Sequence, residues 1–182
     1  MVSEVKIRNI INYYKMHITN YVDPWLIFAA NQSSLSDAIR VSCLCINENN
    51  KRHSHQYRLK KQYLDNFYSL LIAQNSLLKK SKNFDDLFTV VDGIKTYGIS
   101  NLTKYDIAQR IGMYLKLYPT KIYVHRGTRI GAQYLIGKIK TRTITKDQLP
   151  GIFQDPELSC AEIEDILCIF KDKFKDTNDS EL

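Results

Sequence analysis

The length, composition and charge of the chain exclude several classes of protein. Its 182 residues are 44% apolar and 25% charged, which is typical of a folded domain and not of a disordered chain. No apolar run approaches the ~20 residues of a membrane helix, and the first ten residues mix charged with apolar positions. We therefore expect a cytoplasmic protein with a core of its own and no membrane partner.

The positive charge of the chain is concentrated in one segment. Lys and Arg total 26 against 19 Asp and Glu, a formal net charge of +7. Between Asp106 and Asp147 there is no acidic residue, whereas the sequence from Asp155 onward has nine acidic residues and only three lysines. The nine cations of the first stretch are Arg110, Lys116, Lys121, Arg126, Arg129, Lys138, Lys140, Arg142 and Lys146. This asymmetry favours a phosphate-bearing partner, and the alternative is an ordinary solvated surface.

The hydrophobic periodicity predicts helices along most of the chain. Apolar residues recur at three- and four-residue steps, and a capping box of Ser159 and Glu162 begins the last helix. The predicted helices cover 5–18, 24–29, 33–46, 57–78, 84–91 and 159–170. Only 122–124 and 140–145 are predicted to be extended. We therefore predict a mainly α protein, a single compact multi-helix domain over 1–174, with a flexible acidic tail at 175–182.

The cysteines and histidines do not predict a metal site. The four cysteines lack the paired spacing of a zinc site, so buried reduced thiols are favoured. His53 and His55 have no nearby carboxylate or thiolate in sequence, which favours a hydrated basic face. We predict neither a metal nor a cofactor.

Residues 96–108 are predicted to form a helix, a tight turn and a second helix. Gly98 supplies a turn conformation that few other residues adopt, Ile99 is an apolar plug, and Thr103 is placed to cap or begin the second helix. Such a hairpin presents backbone N–H groups at a helix start, where they favour an anion.

This segment resembles the helix-hairpin-helix motif of DNA-repair proteins, especially the glycosylase superfamily, and is also similar to one in uncharacterised bacterial proteins. Gly98, Ile99, Thr103 and Ile107 stand at the matching positions, and Ser100 replaces the second glycine. The resemblance implies a helical fold that grips the phosphate backbone of DNA through the hairpin.

The resemblance does not extend to the catalytic residues of that superfamily. Leu102 stands where the lyase branch has its lysine, and His125 and Arg126 stand near the place of the catalytic aspartate. A histidine beside arginines cannot supply the negative charge that stabilises the developing cation on the sugar. Standard glycosylase catalysis is therefore not expected, and whether the chain is an enzyme stays open.

A second anion site is predicted at residues 125–129. After the extended segment, Gly127 would turn the chain and Thr128 would cap a helix, so that Arg129 and the free N–H groups bind a phosphate. Gly131 would let this helix pack closely. In the alternative, the arginines pair with acidic residues of the last helix: Glu162, Glu164 or Asp165.

We therefore predict a DNA-binding protein whose partner is double-stranded DNA, contacted through its phosphates. The predicted contacts are Lys95, Gly98, Ser100, Thr103, Lys104, Arg110, Lys121, Arg126, Thr128 and Arg129. One alternative is a nucleic-acid-processing enzyme with His125 as acid or base and Asp106 or Asp37 as its carboxylate. The other is a protein-interaction module with a basic docking face.

Overall fold

The computed structural model describes residues 2–18 and 23–175 and confirms the predicted mainly α fold. In chain order, the described helices are α1 Glu4–His17, α2 Pro24–Ala30, α3 Leu35–Leu44, α4 Lys61–Ile72, α5 Asn75–Lys80, α6 Phe84–Gly93, α7 Asn101–Leu115, α8 Arg126–Ile136 and α9 Cys160–Ile169. The two strands are β1 Ile122–Tyr123 and β2 Thr143–Ile144, inside the two segments predicted to be extended.

The chain divides into two compact units. The middle unit comprises Val22–Tyr118, and the terminal unit comprises Met1–Tyr21 together with Pro119–Leu182. The predicted single domain over 1–174 stays a prediction. Of the predicted tail, only Lys175 belongs to the residues that the structure describes.

The middle unit contains α2 to α7, and its long helix α7 packs against α2, α3 and α6. Local side chains begin several of these helices, because an N-cap oxygen satisfies a backbone N–H that has no partner inside the helix. Asp23 accepts from Trp25 at 2.8 Å before α2, and Asn83 accepts from Asp86 at 2.8 Å before α6. The fully buried side chains of this unit include Ile39, Leu64, Phe67, Leu71, Leu87, Val91, Tyr105, Ile107 and Ile111.

The terminal unit joins α1, α8, α9 and the two short strands around one apolar core. The strands pair antiparallel, with Ile122 opposite Ile144 and Tyr123 opposite Thr143. Helices α8 and α9 approach so closely at Gly131 that a Cβ there would overlap the carbonyl oxygen of Leu167. The predicted close packing at Gly131 is therefore confirmed.

In the described part of the chain, no helix has both the length and the apolar character needed to cross a bilayer.

Candidate functional site

The connection between α6 and α7 is longer than the predicted tight hairpin. Helix α6 ends at Gly93 and α7 begins at Asn101, so residues 94–100 separate them. Within this connection Gly98 has a φ of +80°, as its predicted turn role requires. It also lies directly against Tyr63, whose ring a Cβ at position 98 would overlap. Ile99 is buried, as predicted for the plug.

Ser100, and not Thr103, caps the start of α7. The Ser100 Oγ accepts the backbone N–H of Thr103 at 3.1 Å and lies 3.0 Å from its Oγ1. Thr103 is only 4% exposed. Thr103 therefore does not cap the helix, and of its two predicted roles only the one at the beginning of α7, in its first turn, is confirmed. Since the serine side chain already engages the Thr103 N–H, this donor is not available to a phosphate.

Two of the cations predicted to contact DNA are buried inside the middle unit. Lys104 is 6% exposed, and its Nζ donates to the carbonyl oxygen of Asp92 at 2.7 Å. Arg110 is 2% exposed and donates from Nη2 to Gln56 Oε1 at 3.3 Å. A buried side chain cannot reach a DNA backbone, so the predicted DNA contacts of Lys104 and Arg110 do not fit the structure. Lys95, by contrast, is exposed.

Asp106 belongs to a polar cluster that the sequence did not predict. It accepts from the Gln56 side chain, and its Oδ2 lies 3.6 Å from His55 Nδ1. Next to His55, with ring centroids 4.7 Å apart, lies His53, which also meets the ring of Trp25 edge-on at 4.8 Å. The His53 side chain is only 16% exposed, so the predicted hydrated face is wrong for this residue. Burial is the main cause that lowers the pKa of His53.

The chain offers no grouped metal ligands in this cluster or elsewhere in residues 2–18 and 23–175. Each histidine of the cluster instead lies near one carboxylate, His55 near Asp106 and His53 near Asp23. The only sequence signal that could have indicated it is the HSHQ run at 53–56, which gives no hint of Asp106 as its partner.

Asp37, the other candidate carboxylate, has the contacts of a residue in a helix cap. It accepts from the hydroxyls of Ser34 at 2.7 Å and Ser33 at 3.1 Å, while Ser34 caps its N–H. The hydrogen bond from Ser34 is the main cause that lowers the pKa of Asp37. These contacts account for its position in the first turn of α3 without any ligand.

The turn before α8 differs from the predicted anion site. His125 occupies the N-cap position without a side-chain capping bond. Thr128 does not cap: it is fully buried, and its hydroxyl donates to Glu164 on α9. The Thr128 hydroxyl therefore connects α8 to α9, and it is too deeply buried to make the predicted contact with a phosphate. Lys121 is half-buried just before β1, and Arg126 is exposed.

Arg129 does not form the predicted pair with the last helix, and its phosphate contact stays a prediction. Its Nη1 donates to the carbonyl oxygen of Ile139 at 2.6 Å, and its Nη2 donates to that of Thr141 at 3.0 Å. Of the predicted acidic partners, Glu162 accepts from the Ser159 hydroxyl at 2.7 Å and Asp165 accepts from the Tyr14 hydroxyl at 3.1 Å. The arginine therefore supports the backbone of the following loop and forms no pair with α9.

That loop, residues 137–142, is here named the basic loop. Its Lys138, Lys140 and Arg142 are exposed. The backbone N–H of Val124 donates to the Arg142 carbonyl at 2.9 Å, which joins the end of the loop to the segment leading into α8. The predicted contacts omitted these three cations, although all lie in the carboxylate-free stretch.

Three exposed cations at or near the basic loop have no acidic partner among the described residues. Within the described ranges, Lys138, Lys140 and Arg126 form no ion pair. The terminal-unit carboxylates Asp155 and Glu157 instead bind Lys15, at 3.1 and 3.2 Å. The charges of Lys138, Lys140 and Arg126 are thus exposed to solvent in the described part of the chain.

The four cysteines are free thiols, as predicted. Cys43, Cys45 and Cys160 are buried, and burial raises the pKa of Cys45 to about 11. A thiol with a raised pKa is a poor nucleophile and a poor metal ligand at neutral pH.

Comparison of the chain with protein-family models, with curated proteins and with solved structures gives no match.

Proposed function

We propose that the protein binds double-stranded DNA through its phosphate backbone, with the basic loop and Arg126 as the main contacts. The observation that carries the proposal is the exposure of Lys138, Lys140 and Arg126, which form no ion pair with the described residues. Cations presented in this way attract a polyanion because each phosphate contact releases condensed counterions into solution.

The placement of the loop supports this role. Arg129 binds the carbonyls of Ile139 and Thr141, and this contact holds the loop backbone in a defined course. The lysines at 138 and 140 lie on either side of Ile139, which is 9% exposed and anchored in the core. A charged group on a fixed backbone loses less conformational entropy on binding than one on a mobile segment.

The middle unit contributes a second candidate contact to the proposal. Lys95, Gly98 and Ser100 are exposed in the connection between α6 and α7. Gly98 and Ser100 are the exposed residues of the helix-hairpin-helix resemblance, and Lys95 lies just before them. This resemblance suggests a role in DNA repair, and the similarity to uncharacterised bacterial proteins suggests a bacterial source.

Contacts to phosphates alone predict weak sequence preference and a steep dependence on salt. Each phosphate contact contributes about 0.9 to the slope of log K against log salt concentration. Three or four contacts would therefore give a slope of roughly 3 to 4. Duplexes of unrelated sequence and equal length should then bind with similar affinity.

The test compares two variants with the same change of net charge. Lys138→Glu combined with Lys140→Glu reverses the charge of the basic loop, whereas Lys79→Glu combined with Lys80→Glu reverses exposed lysines at the end of α5. We expect the first pair to lower duplex affinity at least tenfold at about 0.1 M salt and to reduce the slope by about 2. The second pair should change the affinity less than twofold.

Circular dichroism and thermal unfolding of both variants would show that the fold is kept. Equal affinities for the two variants would overturn the proposal, because the basic loop would then contribute no more than net charge. Binding of the wild type to an acidic protein in nuclease-treated extract, with no binding to duplex DNA, would instead favour the interaction module.

A further inference from the structure

The terminal unit contains a pocket next to the basic loop. Its volume is about 360 Å³. Three isoleucines supply its apolar lining, and the two exposed lysines of the loop and Thr141 supply polar groups. The isoleucines are Ile136, Ile139 and Ile144.

Hydrogen bonds fix the walls of this pocket on two sides. Arg129 binds the carbonyls of Ile139 and Thr141, as described above. On the other side, Gln148 also lines the pocket, and its Oε1 accepts the backbone N–H of Thr145 at 2.9 Å. A pocket whose walls are held in this way is largely formed before a ligand arrives, which lowers the cost of binding.

The lining determines what kind of ligand fits. The apolar side chains can pack against a flat or apolar group of the ligand. Lys138 and Lys140 add two positive charges, and neither lysine forms an ion pair with a carboxylate of the described residues. Ligand pockets range over roughly 300 to 1,000 Å³, so this one is of the size for a single small molecule. A nucleotide combines an apolar ring with an anion, and a base can lie against apolar side chains.

The two lysines further favour a terminal phosphate over an internal one. A phosphate monoester carries about −1.5 to −2 charges at pH 7, whereas the diester linkage within a strand carries a single charge. Two neighbouring cations therefore match a monoester better. We propose that this pocket binds a nucleotide with a terminal phosphate monoester, its base against the three isoleucines and its phosphate at Lys138 and Lys140.

This inference rests on the proposed function only in using the same two lysines. The nucleotide can be the phosphorylated end of a DNA strand or a free mononucleotide. Three forms of one duplex separate these sources: a closed circle without ends, a linear form with 5′-phosphates and a linear form with 5′-hydroxyls. Deoxyadenosine monophosphate and deoxyadenosine are the small probes.

Gln148→Trp is the informative variant, because a large side chain at the exposed rim, outside the basic loop, fills the pocket without removing a cation. If strand ends are the source, the wild type should bind the phosphorylated linear duplex at least tenfold tighter than the hydroxyl form. Gln148→Trp should abolish this difference and leave the affinity for the closed circle within twofold. The Lys79→Glu, Lys80→Glu protein should keep the difference.

A measurement on the wild-type protein does not depend on the folding of any variant. With labelled isoleucine methyl groups, deoxyadenosine monophosphate should shift the resonances of Ile136, Ile139 and Ile144 at millimolar concentration, and deoxyadenosine should not. Such shifts without any preference for phosphorylated ends would support the pocket and identify the free nucleotide as its source.

Other outcomes overturn one proposal and spare the other. Equal binding of all three duplexes, together with no methyl shifts, overturns the pocket and leaves DNA binding through the loop intact. Methyl shifts without affinity for the closed circle overturn duplex binding and support the pocket.

Discussion

The Arg129 guanidinium donates to the carbonyl oxygen of Ile139 over 2.6 Å, and so joins helix α8 to the basic loop. A second hydrogen bond of 3.0 Å joins the same guanidinium to the carbonyl oxygen of Thr141 in this loop. Because a planar guanidinium presents its donors in a fixed fork, it can bridge two carbonyls that a lysine ammonium cannot hold in the same geometry. Arg129, which was predicted to bind DNA, thus holds the backbone of the basic loop.

Replacement of Arg129 by lysine therefore keeps the positive charge but weakens the hydrogen bonds that hold the basic loop. Hydrogen bonds to a charged donor contribute about 1.5 to 3 kcal/mol each, and Arg129→Lys loses at least one of them. We expect the free energy of unfolding to fall by about 1 to 3 kcal/mol, measured by urea denaturation. Amide hydrogen exchange should accelerate in residues 137–142, and duplex affinity should decrease although the positive charge is kept.

Arg126→Lys is the matched control, since the Arg126 side chain is exposed and forms no hydrogen bond or ion pair with the described residues of the loop. It should leave the free energy of unfolding unchanged within about 0.5 kcal/mol. Unchanged stability and unchanged exchange in Arg129→Lys would contradict the supporting role.

A second prediction concerns Gly98 and its contact with Tyr63. The φ of +80° costs a residue with a Cβ roughly 1 to 2 kcal/mol, and overlap with the Tyr63 ring adds roughly 1 to 3 kcal/mol. We therefore expect Gly98→Ala to lower the free energy of unfolding by about 2 to 5 kcal/mol in urea denaturation.

A double-mutant cycle with Tyr63→Ala distinguishes the two causes. Removing the ring relieves the overlap but not the backbone strain, so the double variant should be more stable than the sum of the single effects predicts. Gly93→Ala, where an added Cβ meets nothing within 4 Å, is the control and should not destabilise the protein. Additive effects of the two single substitutions would show that Tyr63 does not restrict position 98.

These residues also show how far the sequence could predict the structure. Apolar periodicity located most of the helices, and the small side chain of Gly131 predicted the close approach of α8 and α9. Both follow from local spacing. The single helix predicted over 57–78 is wrong in extent, because the structure has α4 and α5 there as two shorter helices. The turn at Gly98 was predicted correctly, because its φ is a property of that residue, but the length of the connection around it was not.

The candidate site was harder to predict because its contacts join distant parts of the chain. Whether Lys104 or Arg110 is solvated depends on partners at Asp92 and Gln56, which periodicity does not reveal. The charge pattern located a basic segment, and only the structure separates its exposed cations from its buried ones.

A last prediction follows from the burial of His53 in the middle unit. Its ring contacts Trp25 and His55, and its Nε2 lies 3.8 Å from Asp23 Oδ2. Burial is the largest cause that holds its pKa below the usual 6.5. The positive charges of Arg110 and His55 lower this pKa further, whereas the carboxylates Asp23 and Asp106 oppose the shift.

The sign of the pH effect follows from this direction. Because the folded pKa is lower than the unfolded one, the unfolded chain binds more protons at pH values between the two. The contribution to stability is therefore fully present above pH 6.5 and is lost as the pH falls through the folded pKa. We expect the free energy of unfolding, measured in urea at half-unit steps from pH 8 to pH 5, to fall below about pH 6.5.

His53→Gln should remove this part of the pH dependence, because an amide does not titrate. His17→Gln changes an exposed histidine of α1 and should leave the profile unchanged. Should His53→Gln keep the wild-type decline between pH 6.5 and pH 5, the decline would have to come from another group, and the burial of a neutral His53 would not contribute to stability.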